Sequence, residues 1–169
     1  MKRGFSLIET LVVIAMFAIV AAVVSQSTAV SLRGSKKSDA SAKTRENLSS
    51  AIGVIERRLR GASEITTVCD GVTPTQSVQL TNQDGVTNTI SCNPDTSCTS
   101  GSNTYVLLDS DKLTSTDDIC ITKCDFVCTQ PSTNLPPTIE ITIQGQSKDA
   151  TGIEDTSVEV KTSVTLRAY

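Results

Sequence analysis

The chain contains no histidine and no tryptophan, and its 169 residues include only two tyrosines and three phenylalanines. With so few aromatic side chains the hydrophobic core has to be thin and mainly aliphatic, and small domains of this kind often need covalent or intermolecular support. Histidine is the commonest general base in catalysis, and without it the sequence offers no nucleophile–base pair. These absences argue against an enzyme.

Positive charge is scarce in the carboxy-terminal part of the chain. Residues 64–169 contain five basic and fourteen acidic side chains, whereas residues 33–60 contain eight basic and three acidic ones. An acidic head repels phosphate backbones, so we expect no nucleic-acid binding by it. A solvated surface is the plainer interpretation of both regions. The basic residues of the first region are Arg33, Lys36, Lys37, Lys43, Arg45, Arg57, Arg58 and Arg60.

Proline is absent before Pro74, so no such helix breaker interrupts the amino-terminal part. Residues 5–24 form an apolar segment of 20 residues. As a helix it would span roughly 30 Å, the thickness of a bilayer's hydrocarbon core. Lys2 and Arg3 precede it and favour a cytoplasmic amino terminus, so we expect a single-pass protein with its head outside.

One acidic side chain, Glu9, interrupts the apolar segment. An ionised residue at such a position costs roughly 2.5–3.5 kcal/mol on insertion scales, falling toward the interface. Nothing basic lies within the segment to pair with it. If the chain were cut after Gly4, the new α-amino group of Phe5 would supply a positive charge at the same depth. The Glu9 of an adjacent copy could then pair with it, which would fix the register of assembly.

The run Lys2-Arg3-Gly4-Phe5-Ser-Leu-Ile-Glu9-Thr-Leu resembles the class III leader of type IV prepilins and type II secretion pseudopilins. The resemblance implies cleavage between Gly4 and Phe5 by prepilin peptidase and N-methylation of Phe5, with Glu9 acting in assembly. It also implies storage in the lipid bilayer, an inner-membrane assembly platform, and other pilin or pseudopilin subunits as partners. A cell-surface or periplasmic filament is the implied destination. Many major pilins carry a helix-kinking proline in this segment, and here there is none.

Two other hypotheses explain an apolar amino terminus. An ordinary secretory signal could be cut near residues 27–29, but its apolar region is usually about 7–15 residues long. A permanent anchor would make the chain a membrane-tethered binding or adhesion module, the alternative function. Neither accounts for Glu9.

Beyond the apolar segment the pattern predicts an α+β fold. Leu48, Ile52, Ile55, Leu59 and Ala62 form one helical stripe, and Gly61 ends the helix. Alternating residues predict antiparallel strands, with Ile139, Ile141 and Ile143 facing the core and a hairpin turn at Asp84-Gly85. We expect a single sheet covered by the helical stripe, which is the type IV pilin architecture. The predicted parts are a leader (1–4), a membrane or filament-core helix (5–24), an amphipathic stem (25–62) and a β-rich head (63–169).

Residues 51–60 and the carboxy-terminal residues 162–169 are similar to minor pilins and J-type pseudopilins. This resemblance is weaker than the first. It favours a low-copy subunit over a major one.

All six cysteines lie beyond the apolar segment, at Cys69, Cys92, Cys98, Cys120, Cys124 and Cys128. In an oxidising compartment they should form disulfides. Pairing Cys92 with Cys98 across a short loop is the first expectation, and the other pairs stay open. A metal or iron–sulfur site at the evenly spaced triplet is the alternative.

Acidic residues cluster at Asp109–Asp111, at Asp117-Asp118 and in a later loop at Asp149, Glu154 and Asp155. Oxygen-rich loops suit calcium, but the spacing matches no calcium motif. We therefore expect no cofactor and solvated acidic loops.

Overall fold

The computed structural model describes residues 7–98, 102–132, 135–148 and 157–166. Its first element is one long helix, and antiparallel strands follow. The bounds are α1 (Leu7–Arg60), β1 (Ala62–Ile65), β2 (Ser77–Asn82), β3 (Thr87–Asn93), β4 (Tyr105–Leu108), β5 (Asp111–Lys112), β6 (Ile119–Thr129), β7 (Thr138–Ser147) and β8 (Ser157–Thr165).

Helix α1 contains 54 residues and is therefore roughly 80 Å long at about 1.5 Å per residue. It contains no proline, and Gly34 does not interrupt it. At its end the N–H of Gly61 donates to the carbonyls of Arg57 and Arg58 at 3.3 and 3.2 Å. Ala62, expected on the helical stripe, instead begins β1, because the chain turns at Gly61.

The strands form two antiparallel sheets, so the expectation of a single sheet was wrong. One sheet has the order β1-β2-β3-β4-β5 and the other β6-β7-β8. The first sheet ends at β5, whose two residues are both exposed, and the next strand pairs with β7 instead. The hairpin turn predicted at Asp84-Gly85 joins β2 to β3, and Gly85 adopts φ 77°, which suits glycine.

Helix α1 covers the core face of the second sheet, where it contacts β7 and β8. The predicted helical stripe and the predicted isoleucine face are both buried, and they belong to one hydrophobic core with side chains of the first sheet. The α+β, type IV pilin-like fold predicted from the sequence is thereby confirmed. The residues of the two stripes are Leu48, Ile52, Ile55, Leu59, Ile139, Ile141 and Ile143.

The predicted boundary at residues 24–25 does not coincide with a break in structure. Helix α1 passes through it without interruption. What changes there is composition, from an apolar segment to one rich in Ser, Thr and Lys. The division into membrane helix and stem therefore stays a prediction about environment.

Candidate assembly helix and disulfide-bonded head

The amino-terminal part of α1 carries the predicted assembly residue. Gly4 and Phe5, the predicted cleavage junction, lie outside the described residues. Glu9 lies in the first turn of α1 and is exposed. A carboxylate there faces the positive end of the helix dipole. Among the described residues Glu9 has no ion-pair partner, so its carboxylate can accept a cation supplied by another chain.

The apolar side chains that follow Glu9 pack against no other described part of the fold. Their exposed fractions range from 45% at Val13 to 72% at Phe17. An 18-residue window of α1 has a mean hydropathy of 2.8, and none of it is buried. Among the described residues α1 is the one helix long and apolar enough to cross a membrane. Surface of this kind needs lipid or neighbouring helices to cover it.

The described side chains include two polar contacts that join α1 to the head, and no local pattern in the sequence predicts either of them. Lys43 Nζ lies 2.6 Å from Asp118 Oδ1, and the Ser115 hydroxyl donates to the other carboxylate oxygen at 2.7 Å. Their hydrogen bonds hold the pKa of the Asp118 carboxyl below its usual value. Further along, the Thr162 hydroxyl donates to Glu56 at 2.5 Å. Both contacts join residues far apart in the chain, so only tertiary structure brings them together.

All six cysteines are paired in three disulfides, which confirms the disulfide prediction over the metal-site alternative. The bridges are Cys69–Cys128, Cys92–Cys124 and Cys98–Cys120. Every bridge has one end on β6.

The expected Cys92–Cys98 pair was wrong. Cys92 lies on β3 and its side chain is buried in the core beside Cys124 of β6. Cys98 lies in the following loop, with φ 41°, and the backbone N–H of Asp95 in that loop donates to the carbonyl of Ile121 at 2.8 Å. The loop therefore runs alongside β6, which brings Cys98 to Cys120 instead.

A bulge in β6 sends its three evenly spaced cysteines to different faces. Cys124 and Cys128 are opposite Ile143 and Ile139 on the core face of β7. The register shifts between Ile121 and Lys123, so Cys120 is opposite Gln146 on the other face. In a regular strand a spacing of four residues would place all three on one face, but here only Cys124 and Cys128 share a face.

Glycine on β7 accommodates this bulge. A Cβ at Gly145 would lie 3.0 Å from the backbone carbonyl oxygen of Cys120. Such a contact is tighter than nine in ten real Cβ contacts. A larger residue here would have to shift the backbone of β6 by a few tenths of an ångström, so glycine lets β7 pass the bulge without that shift.

Two acidic side chains hold the loops next to the bridges. Asp95 accepts hydrogen bonds from the Ser102 hydroxyl at 2.5 Å and from the hydroxyl and backbone N–H of Ser97. These bonds lower the pKa of Asp95 to about 2. Asp70 accepts from the hydroxyl and N–H of Thr73 and from the N–H of Val72, and its pKa is likewise lowered to about 2. Both carboxylates are hydrogen-bond anchors of the loops.

The described residues contain no group of three or more His, Cys, Asp or Glu side chains that could hold a metal ion. In the first acidic cluster, Asp109 accepts from the backbone N–H of Thr89 and from the Asn88 amide, both at 2.7 Å. The later loop with Asp149, Glu154 and Asp155 lies outside the described residues. The calcium hypothesis for that loop is untested.

Comparison with known proteins identifies the amino terminus. Residues 1–25 match the family model described as the prokaryotic N-terminal methylation motif. No curated protein and no solved structure matches the chain. The motif supports the type IV pilin and pseudopilin family, and the long helix on antiparallel sheets agrees with that fold. The chain therefore combines the amino-terminal methylation motif with an α+β fold of the type IV pilin kind.

Proposed function

We propose that the chain is a structural subunit, a minor pilin or pseudopilin, of a type IV pilus or a type II secretion-like filament. The observation that carries this is the methylation motif at residues 1–25, which leads into a helix whose apolar side chains pack against nothing in the fold. Type IV pilins are structural proteins, and we propose no catalytic role.

Processing precedes assembly in this proposal. Prepilin peptidase cuts between Gly4 and Phe5 and methylates the new amino terminus. Until assembly the subunit is stored in the bilayer with its amino terminus inside and its head outside. The assembly platform then moves it into a filament with other pilin or pseudopilin subunits, at the cell surface or in the periplasm. Lys2 and Arg3 support this orientation.

The part played by Glu9 follows from the cost of an unpaired charge. In an apolar bundle of helices a carboxylate without a partner is strongly destabilising. The α-amino group of Phe5 on a neighbouring copy would satisfy it, because cleavage places that group near the same depth. Subunits out of register would leave both charges unpaired. Glu9 therefore favours one axial register over the others.

The test combines intact mass with two matched variants. The mature wild-type chain should have the mass of residues 5–169 with a methylated Phe5. Glu9→Gln should be cleaved normally but lost from the isolated filament fraction on an immunoblot. Glu46→Gln makes the same charge change at an exposed position of the stem and should assemble like wild type.

Three outcomes contradict the proposal. A mature chain that begins near Val30 indicates ordinary secretion, and an uncut chain indicates a permanent anchor. If Glu9→Gln is found in the filament fraction in the same amount as wild type, Glu9 has no part in assembly. The chain is then better explained as a membrane-tethered binding module. Separately, quantitative mass spectrometry of the filament should find few copies if the subunit is a minor one.

A further inference from the structure

Three basic side chains share one face of α1 just beyond its apolar segment. Arg33, Lys36 and Lys37 are spaced i, i+3 and i+4, which places them side by side on a helix. All three are exposed, and none has an ion-pair partner among the residues described. The sequence has no acidic residue between Glu9 and Asp39. This basic face (Arg33, Lys36 and Lys37) is therefore not neutralised by its own segment.

The head leaves the basic face uncovered. The buried residues of α1 begin at Thr44, and the helix is exposed from Leu7 to Asp39. The basic face thus lies between the apolar segment and the head, on a stretch of helix whose side chains are exposed.

Its distance from the bilayer follows from the continuity of α1. Val30 and Leu32 are 70% and 61% exposed, so apolar side chains recur up to Arg33 among the polar residues that follow Val24. Arg33 lies about 14 Å beyond Val24 at about 1.5 Å per residue. The headgroup layer occupies roughly 5–8 Å of that distance.

The side chains of the basic face point toward the membrane, which shortens the remaining distance between their charges and the headgroups. In a helix each Cα–Cβ bond tilts toward the amino terminus, which here is the side of the membrane. The long stems of Arg and Lys can lie along apolar surface while their charged ends reach the interface. The charges then lie within a Debye length of the headgroups, about 8 Å at physiological salt.

We propose that this basic face binds the anionic headgroups of phospholipids in the extracytoplasmic leaflet while the subunit is stored in the membrane. The inference rests on the membrane placement of α1 in the proposed function. The headgroups are favoured over the acidic head of a second copy because the basic face lies on the same uninterrupted helix as the apolar segment and its side chains lean toward that segment. Such binding would hold the stem at a fixed depth and would have to be broken on entry into a filament.

The experiment measures lipid selectivity of the full-length chain. The protein is reconstituted in vesicles of phosphatidylcholine with about a fifth phosphatidylglycerol, and spin-labelled lipids report the relative association constant of the two. One basic residue near an anionic surface changes affinity roughly fivefold. The wild-type chain should prefer phosphatidylglycerol by roughly that factor or more. In about 1 M salt, where the Debye length is about 3 Å, the preference should approach one.

Two triple variants with the same change in charge show whether the lipid preference depends on the position of the basic residues or on the net charge of the chain. Arg33→Gln/Lys36→Gln/Lys37→Gln should bring the preference close to one. Arg57→Gln/Arg58→Gln/Arg60→Gln removes three exposed charges from the far end of the same helix, about 50 Å from Val24, and should keep the wild-type preference.

Equal preference in wild type and the first variant would overturn the proposal. So would a first variant that keeps its lipid preference but loses crosslinking between copies, since the basic face would then bind protein. If neither spin-labelled lipid shows a motionally restricted component, α1 does not span the bilayer, and the membrane placement itself fails. Failure of pilin processing is seen separately, in the mass of the mature chain.

Discussion

At the scale of single residues, Asp95 shows how one charge can hold a loop beside a disulfide. Its carboxylate receives hydrogen bonds from Ser97 and Ser102, and the backbone of the same loop is bonded to β6. The role of Glu9 could be predicted from the sequence because it depends on the apolar residues that surround Glu9 in the chain. Asp95 and the Lys43–Asp118 pair were not, because their partners come together only in the folded head.

The pKa of Asp95 predicts a pH dependence. Its folded-state pKa of about 2 lies below the ordinary value of 3.8. A lowered pKa contributes stability that is fully present above the unfolded pKa and is lost as pH falls through the folded one. The difference in melting temperature between wild type and Asp95→Asn should therefore be constant above pH 4 and shrink from about pH 4 toward pH 2. Circular dichroism of the full chain in detergent measures it.

Asp117→Asn is the control for this titration, since Asp117 is exposed and none of the described hydrogen bonds involves its side chain. It should melt like wild type at each pH. A gap between wild type and Asp95→Asn that stays the same down to pH 2 would contradict the assignment of Asp95 as a charged anchor.

At the scale of elements, the sequence predicted the helix and the strand whose apolar residues recur at a regular spacing. It did not predict the features that depend on the pairing of one strand with another. The helical stripe of α1 and the isoleucine face of β7 were predicted because their apolar residues recur at the regular spacing of a helix and of a strand. The length of β6, which runs from Ile119 to Thr129, was not predicted from the sequence. The faces on which its cysteines lie and the bulge after Ile121 are determined by the pairing of β6 with β7, so the sequence of β6 alone does not predict them.

Two substitutions within one turn of α1 test whether the helix covers the sheet. Ile55 is fully buried, and truncation of such a residue to alanine costs about 2–5 kcal/mol. Ile55→Ala should lower the melting temperature of the head strongly. Arg57→Ala removes an exposed side chain and should barely change it. Equal melting of the two variants would mean that α1 does not stabilise the sheet.

At the scale of the whole molecule, β6 joins the two sheets covalently. Each bridge connects it to a residue before β4, so the first sheet and its loops are tied to the second. A thin core with few aromatic side chains is thereby supplemented by covalent bonds. The sequence indicated the need for this support but not its arrangement, because several pairings of six cysteines satisfy the same spacing.

Peptide mapping without reduction tests the pairing. Cleavage before Asp95 separates Cys92 from Cys98, and cleavage after Lys123 separates Cys120 from Cys124. The crosslinked peptides should contain only the three bridges described above. A peptide pair joining Cys92 to Cys98 would contradict the structure.

Reduction of the folded protein tests how much the disulfides contribute to its stability. Each bridge typically contributes about 2–4 kcal/mol. The melting temperature of the head should therefore fall markedly in reductant, whereas a chain with its thiols already blocked should not respond to reductant at all. An unchanged melting temperature after complete reduction would show that the core is sufficient by itself.

The bridges are also nested: the first cysteine pairs with the last, the second with the fifth and the third with the fourth. In the proposed orientation Cys69, Cys92 and Cys98 reach the oxidising side before any of their partners. An oxidant acting on the emerging chain would join Cys92 to Cys98, which is also the pair that proximity in the sequence suggests. Native pairing can start only when β6 arrives, because every bridge has one end on that strand. The timing of export, or an isomerase that repairs early errors, thus becomes part of how this head folds.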